Sequence, residues 1–176
     1  MKKLALIISL SLFASYLFAQ EVTKDTVNTG STNEKKQFAK MSQLLESKMF
    51  VLEARKVQNE LGNQYLVNNT LNFLMVDTTS STIQVGNDSG LGPNGVGGLT
   101  LKGKISNWKI TKDESSGYFS IHLTVTTPES ANEIFIDVSS FGNAKATVSG
   151  NKIRKFTYIG KLVSLQDSKV YVGTHL

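Results

Sequence analysis

The sequence predicts a mainly β fold, an antiparallel β-sandwich or barrel-like sheet preceded by one N-terminal amphipathic helix. Three observations carry that expectation. Phe119, Ile121, Leu123 and Val125 alternate with Tyr118, Ser120, His122 and Thr124, the period-two pattern of a strand with one buried face. Other short apolar runs flank this one, separated by clusters of Gly, Asn, Asp, Ser and Pro that turn the chain. One stretch departs from period two: Phe38, Met41, Leu44 and Leu45 recur at helical spacing.

The elements follow in order. Met1 to Ala19 has the layout of an export signal, with Lys2 and Lys3 ahead of the apolar run Leu4 to Phe13 and the small residue Ala19 at its end. The run is short of the about 20 apolar residues that a membrane-spanning helix needs. Cleavage near Ala19 would leave 157 of the 176 residues and, without Lys2 and Lys3, a formal charge of +3 in place of +5. The expected location is therefore periplasmic or secreted, with no membrane span in the mature chain. A single domain of that length can bury a core of its own. Gln20 to Asn33 is polar and is expected to be a disordered leader. Ser31 and Glu34 fit a capping box, which starts the predicted helix Glu34 to Ser47. The β-rich domain is expected to span residues 34–176.

Phe50, Leu52 and Ala54 mark the first strand, and Asn59, Gly62 and Asn63 the turn after it. Tyr65 to Val76 breaks at Asn68 and Asn69, then places Leu71, Phe73 and Met75 on one expected face. Thr82 to Val85 forms the next strand. Leu99, Leu101 and Ile105 occupy odd positions whereas Trp108 and Ile110 occupy even ones, so a bulge near Ser106 and Asn107 is required to keep all five on one side. Ile134, Ile136 and Val138 make a further strand, Ala144, Ala146 and Val148 another, and Gly150 and Asn151 turn into Ile153 to Ile159. Lys169 to Gly173 is expected to close the sheet.

Between residues 86 and 98 lie six of the fourteen glycines and one of the two prolines. Gly90, Gly92 and Gly95 fit the dinucleotide-binding spacing G-x-G-x-x-G, and Asp113 and Glu114 follow at the distance of a ribose-binding acid. That motif acts through the amides of a helix N-terminus. Leu99 to Ile105 has strand periodicity instead, so a structural, turn-rich connection without a cofactor is expected. Long loops on a rigid sheet are frequent contact sites, which makes Gly90, Leu91, Gly92, Pro93, Asn94, Gly95, Gly97 and Gly98 the candidate partner-contact residues.

With these elements placed, the chain resembles a bacterial envelope family known as the domain of unknown function numbered 4251. The resemblance lies in Phe50 to Ala54 after a helix, in Asn72-Phe73-Leu74, in Ile83-Gln84-Val85, in Gly160 to Leu165, and most specifically in Gly92 to Gly103. It implies an exported protein. Many members are lipoproteins, from which this chain departs because it has no cysteine. The family carries no assigned activity, so no catalytic residue follows from it.

Chemistry is sparse. Without cysteine there is no thiol nucleophile, disulfide or lipid-bearing thiol. His122 and His175 are the two imidazoles. Ser120 and His122 share a strand face, but a nucleophile–base pair also needs an orienting third group. Asn87 to Gly90 has oxygen ligands for a weak calcium site, and equally the composition of an ordinary turn. The acids Glu53, Asp77, Asp113, Glu114, Glu129, Glu133 and Asp137 are spaced as strand and turn residues. A net charge this small argues against nucleic acid. No catalytic residue, cofactor or metal is assigned. The expected role is a non-enzymatic binding or structural module for an envelope protein, glycan or lipid. The alternatives are a carrier with a cavity lined by Phe119, Ile121 and Leu123, and a carboxylate-dependent hydrolase.

Overall fold

The computed structural model describes residues 22–87 and 98–174, with only the backbone course for residues 22–31. The export-signal segment, Gly90 to Gly97 of the glycine-rich stretch and His175 lie outside the described residues. The chain divides into two compact units, Met1–Gln37 and Phe38–Leu176. The described part of the first is helical.

The helix α1 is assigned to Val22–Ser47. Its backbone course starts ahead of the expected Glu34. The apolar periodicity starts only at Phe38, which is why the sequence marks a shorter helix. α1 ends on Lys48, which takes a positive φ of 52°.

Among the described residues nine antiparallel strands follow: β1 (Met49–Asn59), β2 (Gln64–Leu66), β3 (Phe73–Asp77), β4 (Ser80–Val85), β5 (Leu99–Asp113), β6 (Tyr118–Thr126), β7 (Ala131–Ser139), β8 (Asn143–Gly150) and β9 (Phe156–Ser164). Between the sandwich and the barrel-like sheet, the structure selects the barrel. From β3 to β9 each strand pairs with the next, and β1 pairs with both β3 and β9, which closes eight strands into an up-and-down barrel. β2 stays outside, paired with the far end of β1. The closing strand is therefore β9, and Lys169 to Gly173 has another role.

The inward residues are those that period two selects. Phe50, Leu52 and Ala54 meet Phe119, Ile121, Leu123 and Val125 across the core, with Ile134, Ile136 and Val138 beside them. The expected bulge in β5 lies between Ile105 and Asn107, and it turns both Leu101 and Trp108 toward the core. A second bulge, between Ala54 and Lys56, is one the sequence reading missed. It turns Val57 inward opposite Tyr158. In β3 the expected face is reversed: Leu74 and Val76 join the core cluster, while Phe73 pairs with Glu53 on the outer side.

Phe73 is nevertheless fully buried, as is Val51 on the same outer face. The C-terminal segment after β9 crosses this face as a strap. Ser168 donates its hydroxyl to Glu53 Oε1 at 2.8 Å, and the Tyr171 amide donates to the Thr70 carbonyl at 2.9 Å. Gln84, buried on the outer side of β4, holds the end of the strap. Its Nε2 donates to the carbonyls of Leu71 at 3.1 Å and Tyr171 at 2.8 Å. Its Oε1 accepts from Thr100 Oγ1 at 3.0 Å and the Gly173 amide at 2.8 Å. One side-chain amide thus bonds like a stretch of backbone, and all four of its main hydrogen-bonding positions are used.

Candidate functional site

The two ends of the barrel differ. At the end formed by the start of β1 and the β5–β6 and β7–β8 turns, the helical residues from Phe38 onward form a lid. Phe38 stacks on Phe119 with ring centroids 4.3 Å apart, and Leu45 is fully buried. Met41 packs against Gly142, which takes the positive φ of 84° that this turn requires. Glu46 pairs with Lys112, and Lys48 Nζ lies 5.0 Å from the Trp108 ring centroid. The lid buries apolar side chains from its underside and places charge on its rim.

Among the described residues, the opposite end carries no helix. There the end of β1, the end of β4, the start of β5 and the β8–β9 connection surround a cleft of about 540 Å³. Val57, Val85, Leu99, Ile153 and Phe156 supply its apolar wall. Four of these, Val57, Val85, Ile153 and Phe156, also pack against the core cluster, so the cleft lies at the mouth of the barrel. Phe156 sets its floor by packing edge-on to Tyr158 at 5.0 Å. Tyr158 is completely buried and donates its hydroxyl to the Gln84 carbonyl. Burial holds the phenol well above its ordinary pKa, so it stays neutral and keeps donating. A smaller cleft of about 350 Å³ between Leu101, Pro128 and Ile153 adjoins the mouth through Leu99 and Lys152.

The rim is charged. Arg154 pairs with Glu60 at 3.6 Å and Lys152 with Glu129 at 3.1 Å. Lys155 also lines the mouth, and no ion pair engages it among the described residues. At the mouth end of β7 the buried Asn132 points inward, and its Oδ1 meets no donor among the described residues.

β4 ends and β5 begins at this mouth, on either side of the glycine-rich stretch. Of its candidate contact residues only Gly98 is described, and Gly98 lines the cleft. A Cβ at Gly98 would lie 2.0 Å from the Val85 carbonyl oxygen, so the glycine is required by close backbone approach. Gly90, Leu91, Gly92, Pro93, Asn94, Gly95 and Gly97 lie outside the described residues. Val57, Lys155 and Phe156 were missed as site residues. The change of parity between Ala54 and Val57 is the signal that could have placed the first of them.

Elsewhere the polar candidates serve the sheet surface. Ser120 donates to Asp137 at 2.8 Å, and His122 pairs through Nε2 with Glu133, so Ser120 and His122 bond to separate acids. The His122 ring also stacks on Phe135 with centroids 4.3 Å apart. Glu53 binds Asn69 and Ser168, and so anchors the strap. Asp113 accepts from Ser115 and Ser116 in the β5–β6 turn, and these hydrogen bonds hold its pKa below the usual value. Phe119, Ile121 and Leu123 are packed core residues, so the room for a ligand is at the mouth and not around them. Among the described residues no group of three or more His, Cys, Asp or Glu side chains could hold a metal ion. Among them also, no helix is long and apolar enough to cross a membrane. On the outer face of β1, β8 and β9, Arg55, Lys56, Lys145 and Lys161 border a second open cleft of about 570 Å³.

Comparison with known proteins points to one family. A family model described as a domain of unknown function, DUF4251, matches residues 32–162. A similar solved structure is the crystal structure of a DUF4251 family protein from Bacteroides eggerthii DSM 20697, with a TM-score of 0.63 and 28% sequence identity. The match covers 78% of this chain and 94% of that one. No curated protein matches the chain.

Proposed function

The chain belongs to the DUF4251 family, and from that starting point we propose that it is an exported, non-enzymatic binding module that takes up an apolar ligand at the barrel mouth. One observation carries the reading. Among the described residues, a closed barrel is covered by a helical lid at one end and left open at the other, over an apolar wall continuous with the core. Small barrels commonly use such a mouth for one ligand. The volume of about 540 Å³ lies within the about 300–1,000 Å³ usual for ligand pockets. Export is supported by the order of charged, apolar and small residues in Met1 to Ala19.

Titration of the mature protein with the neutral fluorophore N-phenyl-1-naphthylamine tests the binding role. Saturable enhancement that Leu99→Asp weakens at least about tenfold, about 1.4 kcal/mol, is expected. Circular dichroism confirms that the variant is folded. An absence of saturable enhancement would sink the proposal. Export is tested separately by N-terminal sequencing of the native protein, which should begin at or near Gln20. Retention of Met1 would refute it.

A further inference from the structure

We infer that the ligand of the mouth is a single-chain amphiphile with one anionic head group, a carboxylate or phosphate, whose head meets Lys155. This rests on the proposed binding role and deepens it. The cleft joins two chemistries. Its wall, with Val57, Val85, Leu99 and Phe156, is contiguous with the barrel core and offers no charge. Its rim, taken with that of the adjoining smaller cleft, carries four cations, Lys102, Lys152, Arg154 and Lys155, and two carboxylates, Glu60 and Glu129. Two of the cations are matched, Arg154 by Glu60 and Lys152 by Glu129. Of the other two, Lys102 lines the smaller cleft and not the mouth, whereas Lys155 lines the mouth itself and sits next in sequence to Phe156, the aromatic floor of the cleft. An apolar chain lying on Phe156 therefore brings its head group to an ammonium that no carboxylate among the described residues neutralises. A neutral amphiphile leaves that charge unused, and a cationic one is repelled by it.

Chain and head contribute separately. Each added methylene that reaches the apolar wall should raise affinity about fourfold, until the cleft is filled. A charge-assisted hydrogen bond to Lys155 should be worth about tenfold over a neutral head. Because the rim is solvent-exposed, this second part should shrink as salt is added, while the first should not.

The experiment displaces N-phenyl-1-naphthylamine from the mature protein with dodecanoate, dodecanol and dodecyltrimethylammonium, each as monomer. The expected order of affinity is carboxylate, alcohol, ammonium. Lys155→Gln should lower dodecanoate affinity about tenfold and dodecanol affinity by less than about twofold. Glu60→Gln, which releases Arg154, should strengthen dodecanoate binding. Equal displacement by all three ligands, unmoved by either substitution, would overturn the head-group assignment while leaving the apolar mouth standing. Failure of the fluorophore itself to bind would instead remove the binding role beneath it. A flotation arm with vesicles of phosphatidylglycerol or phosphatidylcholine separates a free ligand from a bilayer. Lys155-dependent flotation with the anionic vesicles, without displacement by dodecanoate, would also overturn the inference, because the rim would then be reading a membrane surface.

Discussion

Replacing Gln84 by methionine removes the amide that ties the C-terminal strap to the barrel while keeping the side chain's length and approximate volume. The side chain is fully buried and makes four hydrogen bonds, to Leu71, Thr100, Tyr171 and Gly173. A net contribution of about 1 kcal/mol per bond is typical, and a buried group left without a partner costs about 1–3 kcal/mol. The Gly173 amide is in that position, because Gly173, at the end of the strap, is buried. The chain can escape the penalty by letting the strap lift. Lifting uncovers Val51 and Phe73, and full exposure of such side chains costs about 1.5–3 kcal/mol each. Both routes lead to a loss of about 3–5 kcal/mol, a large part of the about 5–15 kcal/mol that holds a typical domain together. Urea unfolding should show the midpoint lowered by about 2 M for a slope of about 2 kcal/mol/M. Hydrogen exchange at Gly173 should accelerate far more than exchange within β6. A Gln84→Met protein that unfolds within about 0.5 kcal/mol of the parent, with Gly173 still protected, would refute the reasoning, since a change that small is what a surface substitution produces.

Other expectations follow from single contacts. Leu123→Ala should cost about 2–5 kcal/mol because Leu123 is fully buried. Thr124→Ala should cost about 1 kcal/mol through the lost bond to Glu133, and equal urea midpoints for the two would mean that the barrel faces are misassigned. Gly160→Ala should destabilise by about 1–3 kcal/mol or more, because its Cβ would lie 1.9 Å from the Glu53 carbonyl oxygen at the β1–β9 seam. Gly98→Val should do the same at the mouth, and unchanged melting of both variants would contradict the close approaches. Tyr158 supplies a pH dependence. Its folded pKa is raised, so the unfolded chain loses the phenol proton first, and the stability tied to that proton is intact below pH 10 and falls as pH rises beyond it. Tyr158→Phe should remove that part of the alkaline loss, which unfolding melts between neutral and alkaline pH would measure.

The mouth was only partly legible in the sequence. The glycine-rich stretch drew attention for its composition, and its described end, Gly98, does line the cleft. Loop composition could not show that the chain on either side of that stretch meets the end of β1 and the β8–β9 connection. Val57 follows a bulge that reverses the face of β1, and the sequence has no turn residue there to announce it. The alternation of Ser120, His122 and Thr124 was legible as a polar face. Which acid each would bond depended on strand register, which set Asp137 opposite Ser120 and Glu133 opposite Thr124.

By itself the sequence determined that the chain forms strands, where most of them turn, and which side of β5 to β8 is buried. Those properties are local, because period two and turn chemistry are set by a residue and its near neighbours. It also determined that Phe38 to Leu45 would bury one helical face. Only the tertiary structure decided that the sheet closes. Closure pairs β1 with β9 across most of the domain, and the same apolar faces could have packed in a sandwich. The bulge at Arg55 and the side chain missing from Gly160 let those two backbones meet. Closure in turn made an inside and an outside, which is why Phe73 needed a strap over it and why one polar residue, Gln84, became the buried clasp. It also left two ends to be filled, and the helix covers one of them.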